Sequence, residues 1–264
     1  VELITTPAHF YVNSYITLEE ADNYFAVYDR VPSDSSWYNL TDAQKEYALI
    51  LAAYALNTLP YKGYKVIRNQ PLAFPRYSEF DIKNNFAIIY NTFEDAVVDD
   101  NLVPVVIDAD IDISSNQFIL QDTSKSFESI KKLQVIKVDG FVNNSGYFTV
   151  KKATNTTITP YEKLTDEDGS NIDIYITPIP GIHDNIRQAQ AEMAWQVINT
   201  TIFQKDIEDI PEPPIRRLDL GGVLRIDYRS EIFRNRFDFG QSSPLDMVYY
   251  LLSPWLTSVR GRFV

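Results

Sequence analysis

Asp108, Asp110 and Asp112 alternate with Ala109 and Ile111, a spacing that puts three carboxylates on one face of an extended segment. Clustered carboxylates are the raw material of a cation site. A calcium loop of the EF-hand type uses the same every-second-residue spacing, but it needs a glycine at the sixth position and a closing glutamate, and both are missing. Asp166, Asp168 and Asn171 around Gly169 read first as a turn. His9 and His183 are the only histidines, one in the N-terminal segment and one beside a helix start. Neither has a serine–aspartate pair or metal-ligand spacing nearby, which makes a structural role the expectation. Leu220-Gly221-Gly222-Val223 lacks the lysine and the spacing of a phosphate-binding loop. Glu19 and Glu20 diverge on a helix and cannot form an acid–base pair, and Trp195, at helical spacing, reads as core. No catalytic residue, metal or cofactor is expected, so the chain reads as a non-enzyme.

The arginines carry a different message. From Ile215 to Val264 there are eight arginines and no lysine against five acidic residues, a net of +3. The whole chain stands at −12, which leaves −15 on the first 214 residues. Phe233, Phe237, Phe239, Tyr249, Tyr250, Trp255 and Phe263 are interleaved with those arginines. Arginine forks beside aromatic rings suit a protein interface, and Arg225, Arg229, Arg234, Arg236, Phe237, Phe239, Tyr249, Tyr250 and Trp255 are the expected contact residues. A solvated tail and a single-strand-binding tail remain open readings.

Helices must carry the N-terminal third. Thr17-Leu18-Glu19-Glu20 and Thr41-Asp42-Ala43-Gln44 have capping-box form, each followed by apolar residues three and four apart. The second stripe runs through Ala48, Leu51, Ala52, Ala55, Leu56 and Leu59 to a stop at Pro60. A third helix is predicted from Asp184 to about Ile202, apolar over so wide an arc that it must be mostly buried. Between them lie six short β-branched runs: Val103 to Ile107, Gln117 to Leu120, Leu133 to Val138, Tyr147 to Lys151, Thr156 to Thr159 and Ile172 to Ile176. Turn clusters at 143–146 and 166–169 separate some of these, and the spacing predicts a small barrel or sandwich. After the stiff Glu212-Pro213-Pro214, a strand over Val223 to Tyr228 and a short helix from Met247 to Leu252 are expected.

The fold class expected is therefore α+β. A small helical domain (1–77 and 179–214) is interrupted by an inserted β-rich domain (78–178) and followed by an extended C-terminal arm (215–264). The arm has little core of its own, so removing it after Pro214 is expected to leave a folded protein.

The run Asn13-Ser14-Tyr15-Ile16-Thr17-Leu18-Glu19-Glu20-Ala21-Asp22-Asn23-Tyr24-Phe25 resembles the opening of phage head–tail connector, or adaptor, proteins, some of which are labelled "DnaT-like". The similarity continues through Trp37, Leu40 to Leu49, Lys62-Gly63 and Leu72-Ala73-Phe74-Pro75-Arg76. It resumes at Ile179-Pro180 with Ala189, Ala191, Glu192 and Ala194. It does not cover residues 77–178, where connectors usually have a short loop. The resemblance implies a structural virion protein in the neck between capsid and tail, assembled in the host cytoplasm. It would form a homo-oligomeric ring of twelve subunits that binds the portal and tail or neck proteins, through its C-terminal arm, and lets DNA pass during genome ejection without specific binding. Asp22, Asp42 and Glu46 would then be candidates for an acidic channel wall.

Composition restricts the alternatives. No apolar run is long enough to cross a bilayer, and neither a membrane partner nor a secretory leader is expected. With no cysteine, disulfides and thiolate metal sites are excluded. A single-stranded-DNA-binding replication factor is the first alternative; the net charge, and the lack of lysine–aromatic clusters before residue 215, weigh against it. A tail-associated carbohydrate-binding protein is the second, and the insert's lack of tryptophan weighs against that.

Overall fold

The structure is a computed structural model that describes residues 3–5, 7, 11–28, 37–78, 83, 88–199 and 246–257. Helix α1 (Leu18–Tyr28) begins where Thr17 and Glu20 satisfy each other: the Glu20 N–H donates to the Thr17 hydroxyl at 3.2 Å, and the Thr17 N–H donates to the Glu20 carboxylate at 2.9 Å. Thr41 and Gln44 repeat that exchange at the start of α2 (Asp42–Asn57), which stops just before Pro60. Two short strands follow, β1 (Tyr64–Lys65) and β2 (Arg76–Tyr77), and then a single-turn helix, α3 (Phe93–Ala96).

Six strands come next: β3 (Val103–Ser114), β4 (Gln117–Leu120), β5 (Gln134–Asp139), β6 (Gly146–Ala153), β7 (Thr157–Pro160) and β8 (Glu167–Pro180). They close into an antiparallel barrel in the order β3-β4-β7-β6-β5-β8. Each of the six predicted runs falls on one of these strands, with Leu133 and Thr156 just outside β5 and β7. Inward positions such as Val106, Ile111, Ile113, Phe118, Ile136, Val138, Val150, Ile158, Ile172 and Ile174 fill the barrel. The long strands β3 and β8 bend through repeated register shifts, which is how a strand turns a barrel corner.

One turn prediction fails here. Residues 166–169 do not turn; β8 starts at Glu167 and pairs Glu167 with Ile113, Asp168 with Asp112 and Gly169 with Ile111. Gly169 is small for packing reasons, since a Cβ there would sit 2.5 Å from the Phe141 ring and 2.8 Å from Ile172. The cluster at 143–146 does connect strands, β5 to β6.

Helix α4 (Asp184–Ile198) follows the barrel and ends short of Ile202, with Asn199 as its cap. The last described helix is α5 (Asp246–Leu252). Phe25, Trp37, Ala48, Leu56, Leu72, Ala189, Met193 and Ala194 form one helical core, drawn from both sides of the barrel in sequence, and Val248, Leu251 and Leu252 of α5 belong to it. The end of the expected arm is thus packed into the helical body, because a short helix with apolar residues on one side buries them against its nearest neighbour. A third cluster, Val66, Ile67, Ala96, Val135 and Ile179, forms the seam between helical body and barrel. The chain is a mixed α/β protein with a closed six-stranded barrel and a few helices. Among the described residues no helix is long and apolar enough to cross a membrane.

Candidate nucleic-acid interface

The acidic residues singled out from the sequence do not assemble into one site, although Asp112 and Asp168 stand opposite each other on β3 and β8. Asp22 accepts the Trp37 Nε1–H at 2.8 Å and the Lys45 ammonium at 3.0 Å, so it ties α1 to α2 and to the buried indole. Asp42 lies exposed in the first turn of α2, where a negative charge complements the helix dipole, and Glu46 is half-buried one turn on. Asp108 leaves the face expected to hold Asp110 and Asp112: its φ is +52°, its N–H donates to Asp173, and its carbonyl accepts from Lys125 at 2.7 Å. Among the described residues no three His, Cys, Asp or Glu side chains group as a metal site.

Most of the tail residues (Arg225, Arg229, Arg234, Arg236, Phe237 and Phe239) lie outside the described residues, as do His9 and the predicted strand at 223–228. Tyr250 is exposed, whereas Tyr249 and Trp255 pack against the helical core. Trp255 stands 5.0 Å from the His183 ring and 6.2 Å from Phe74. His183 caps α4, its Nδ1 accepting the Asn185 N–H at 3.2 Å.

A different group forms at one rim of the barrel. The β6–β7 ladder slips between Val150 and Lys152, and this bulge leaves both Lys151 and Lys152 exposed. The β4–β5 connection supplies Lys131 and Lys132, also exposed. The Leu133 N–H donates to the Val150 carbonyl at 2.8 Å, which lays that connection alongside the end of β6. Tyr161 follows β7, held by its N–H to the Thr149 carbonyl at 2.9 Å.

Two of these side chains, Lys132 and Tyr161, converge on the start of α4. The Lys132 ammonium and the Tyr161 hydroxyl both donate to Asp184. The Arg187 Cζ lies 3.7 Å from the Tyr161 ring centroid and the Lys151 Nζ 5.7 Å from it. Arg187 is 3% exposed and pairs with Glu20 at 3.2 Å, which carries the network into α1. Gly181 permits the approach: its N–H donates to the Leu133 carbonyl at 2.7 Å, and a Cβ there would sit 2.6 Å from the Thr149 side chain.

Electrostatics follow from this packing. Burial opposes ionisation of Asp184, but hydrogen bonds from Lys132 and Tyr161, with the charges of Lys132 and Arg187, outweigh it and hold the carboxyl below its ordinary range. Burial pushes the Tyr161 phenol up, and pushes Glu162 up against the Thr149 hydrogen bonds that favour its charged form. Lys131, Lys151 and Lys152 have no carboxylate partner among the described residues. Their charge is available to a ligand, with Glu128 as an exposed carboxylate in the same connection as Lys131.

A lysine–aromatic cluster therefore does exist before residue 215, contrary to expectation. It escapes a linear reading because its members come from three segments that only barrel closure unites. The signal available was two Lys-Lys pairs, at 131–132 and 151–152, bracketing successive strands. A second group, Tyr147, Lys137 and Tyr175, forms a row across β6, β5 and β8. Lys137 there is neutralised by Asp139 at 2.6 Å, and Asp173 adds further negative charge beside Tyr175.

A family model described as "Putative DnaT-like ssDNA binding protein" matches residues 5–161. No curated protein and no solved structure matches the chain. The match runs from the N-terminal helices through β7 and so includes most of the segment that the connector resemblance leaves out. It is not a head–tail connector family. The connector assignment is overturned, and with it the portal-binding ring, the tail and neck partners, the acidic channel and the passage of DNA without binding. The residues behind that resemblance explain the error, because they build the helical core. Trp37, Ala48, Leu72, Ala189 and Ala194 are buried, and the Tyr15 hydroxyl accepts the Ala73 N–H at 2.8 Å. Residues of this kind specify packing, which proteins of different roles can share.

Proposed function

The chain belongs to the DnaT-like family, and from that premise we propose that it binds single-stranded DNA at the lysine rim of the barrel. The observation that carries this reading is the meeting of Lys151 and Lys132 at Tyr161 and Asp184, with the exposed Lys131 and Lys152 next to them in sequence, all four lysines within the family match. An ammonium on a flexible stem neutralises a phosphate as a point charge and releases its counterion. With a chain charge of −12, binding has to be local, at places where positive charge gathers.

Two features of organisation support the same reading. We take the barrel to be a domain inserted at about 78–178 in a helical domain, because the helical core draws on residues from both sides of it. The helical domain then holds Asp184 and Arg187 against the rim and sets the directions of Lys132 and Tyr161. We take the role to be binding rather than catalysis, and the segment 215–245 to be an accessory arm leading to α5.

The test is fluorescence anisotropy with labelled oligo-dT. Wild-type protein should bind, with log K falling against log salt at about −0.7 per phosphate neutralised. Replacing Lys131, Lys151 and Lys152 together by alanine should weaken binding by about tenfold or more and flatten the slope. Undiminished binding by that variant would remove the rim from the account.

A further inference from the structure

We propose that the rim reads the sugar–phosphate backbone and not the bases, so that its ligand class is a polyanionic strand of any sequence; this rests on the nucleic-acid reading above. Base recognition by single-strand binders needs an open aromatic face, and among the described residues the rim offers none that is free. Between residues 121 and 165 the chain has five aromatics. Phe127, Phe141 and Phe148 are buried inside the barrel. Tyr147 meets Phe93 edge-on at 5.1 Å and belongs to the seam with the helical body. Tyr161 has the Arg187 guanidinium 3.7 Å from its centroid, Lys151 over the ring as well, and its hydroxyl committed to Asp184. The ring is occupied by the protein's own cations, Arg187 and Lys151, and its hydroxyl shares Asp184 with Lys132.

The cations themselves point the same way. The exposed charges of the rim are lysines, which lack the planar fork that pairs with base edges. The one guanidinium of the rim among the described residues, Arg187, is buried and taken by Glu20 and Tyr161. The Thr154 hydroxyl, beside the lysine pair of β6, is engaged with Thr157. The accessible cations are ammonium groups, which match phosphates at any position along a strand.

The test compares a labelled dT 20-mer, a mixed-sequence 20-mer and an abasic 20-mer that keeps every phosphate but carries no bases. All three should bind full-length protein within about threefold of one another and with the same salt slope, and the triple alanine variant at Lys131, Lys151 and Lys152 should lose all three alike. A loss above about tenfold for the abasic strand alone, the size expected if even one base stacks on a ring, would overturn the inference while leaving DNA binding intact. Binding of none of the three would overturn the nucleic-acid reading itself, and this inference with it.

Discussion

Tyr161, Asp184, Lys132, Arg187 and Glu20 form a chain of contacts in which each member is held by its neighbours, so single changes should propagate. Arg187 is the most consequential, being buried and paired. Arg187→Ala should leave Glu20 without its cationic partner and destabilise the fold by about 3 kcal/mol, measured by urea unfolding. Asp184 gives a pH signature. Its folded-state pKa lies below that of the unfolded chain, so its contribution is complete above about pH 4 and is lost as pH falls through the folded value. Tyr161→Phe removes one donor from Asp184, which should raise that folded value and move acid unfolding to higher pH. Glu162 acts in the opposite sense, because its raised pKa makes the folded state hold its proton more readily and favours folding toward lower pH. An acid-unfolding midpoint unchanged by Tyr161→Phe would show that the phenol does not support the carboxylate.

At the level of elements, much of the structure is legible in the sequence, and the failures have physical causes. Both capping boxes form because they are local, each closing between residues three apart. The barrel strands are legible through their β-branched composition and apolar patterning. Asp166 to Gly169 misleads because acidic residues beside glycine suit turns, whereas pairing with β3 and close packing at Gly169 decide the outcome. The lysine rim is illegible for a different reason: Lys132, Lys151 and Asp184 meet only after the barrel has closed and α4 has docked. Helix α5 is legible as a helix, but its burial is not, since no local signal says what covers it. Leu252→Ala should therefore cost about 2–5 kcal/mol in chemical unfolding, and truncation after Pro214 should destabilise the helical body instead of leaving it intact. Gly181→Ala is expected to cost about 1–3 kcal/mol, because its Cβ has nowhere to go between Thr149 and the Leu133 carbonyl. A variant at Gly181 that unfolds like wild type would mean the β8–α4 junction can relax.

For the whole molecule, the inserted-domain reading and the DNA-binding reading make separate predictions. Excising 78–178 behind a short linker should leave a helical, cooperatively unfolding protein of lower stability, since Val66 and Ile67 would lose Ala96 and Val135 as cover. Loss of cooperative unfolding would show that helices and barrel fold as one unit. That excision should also abolish DNA binding, because every rim lysine goes with it. The arginine-rich stretch from 215 to 264 is the competing location for DNA, carrying a net charge of +3 in an otherwise acidic chain. Amide hydrogen exchange of the full-length protein, with and without saturating oligo-dT, separates the two most directly. Binding at the rim predicts slowed exchange on DNA addition in peptides covering 131–135 and 148–161. Unchanged exchange there, with slowing confined to 215–264, would contradict it.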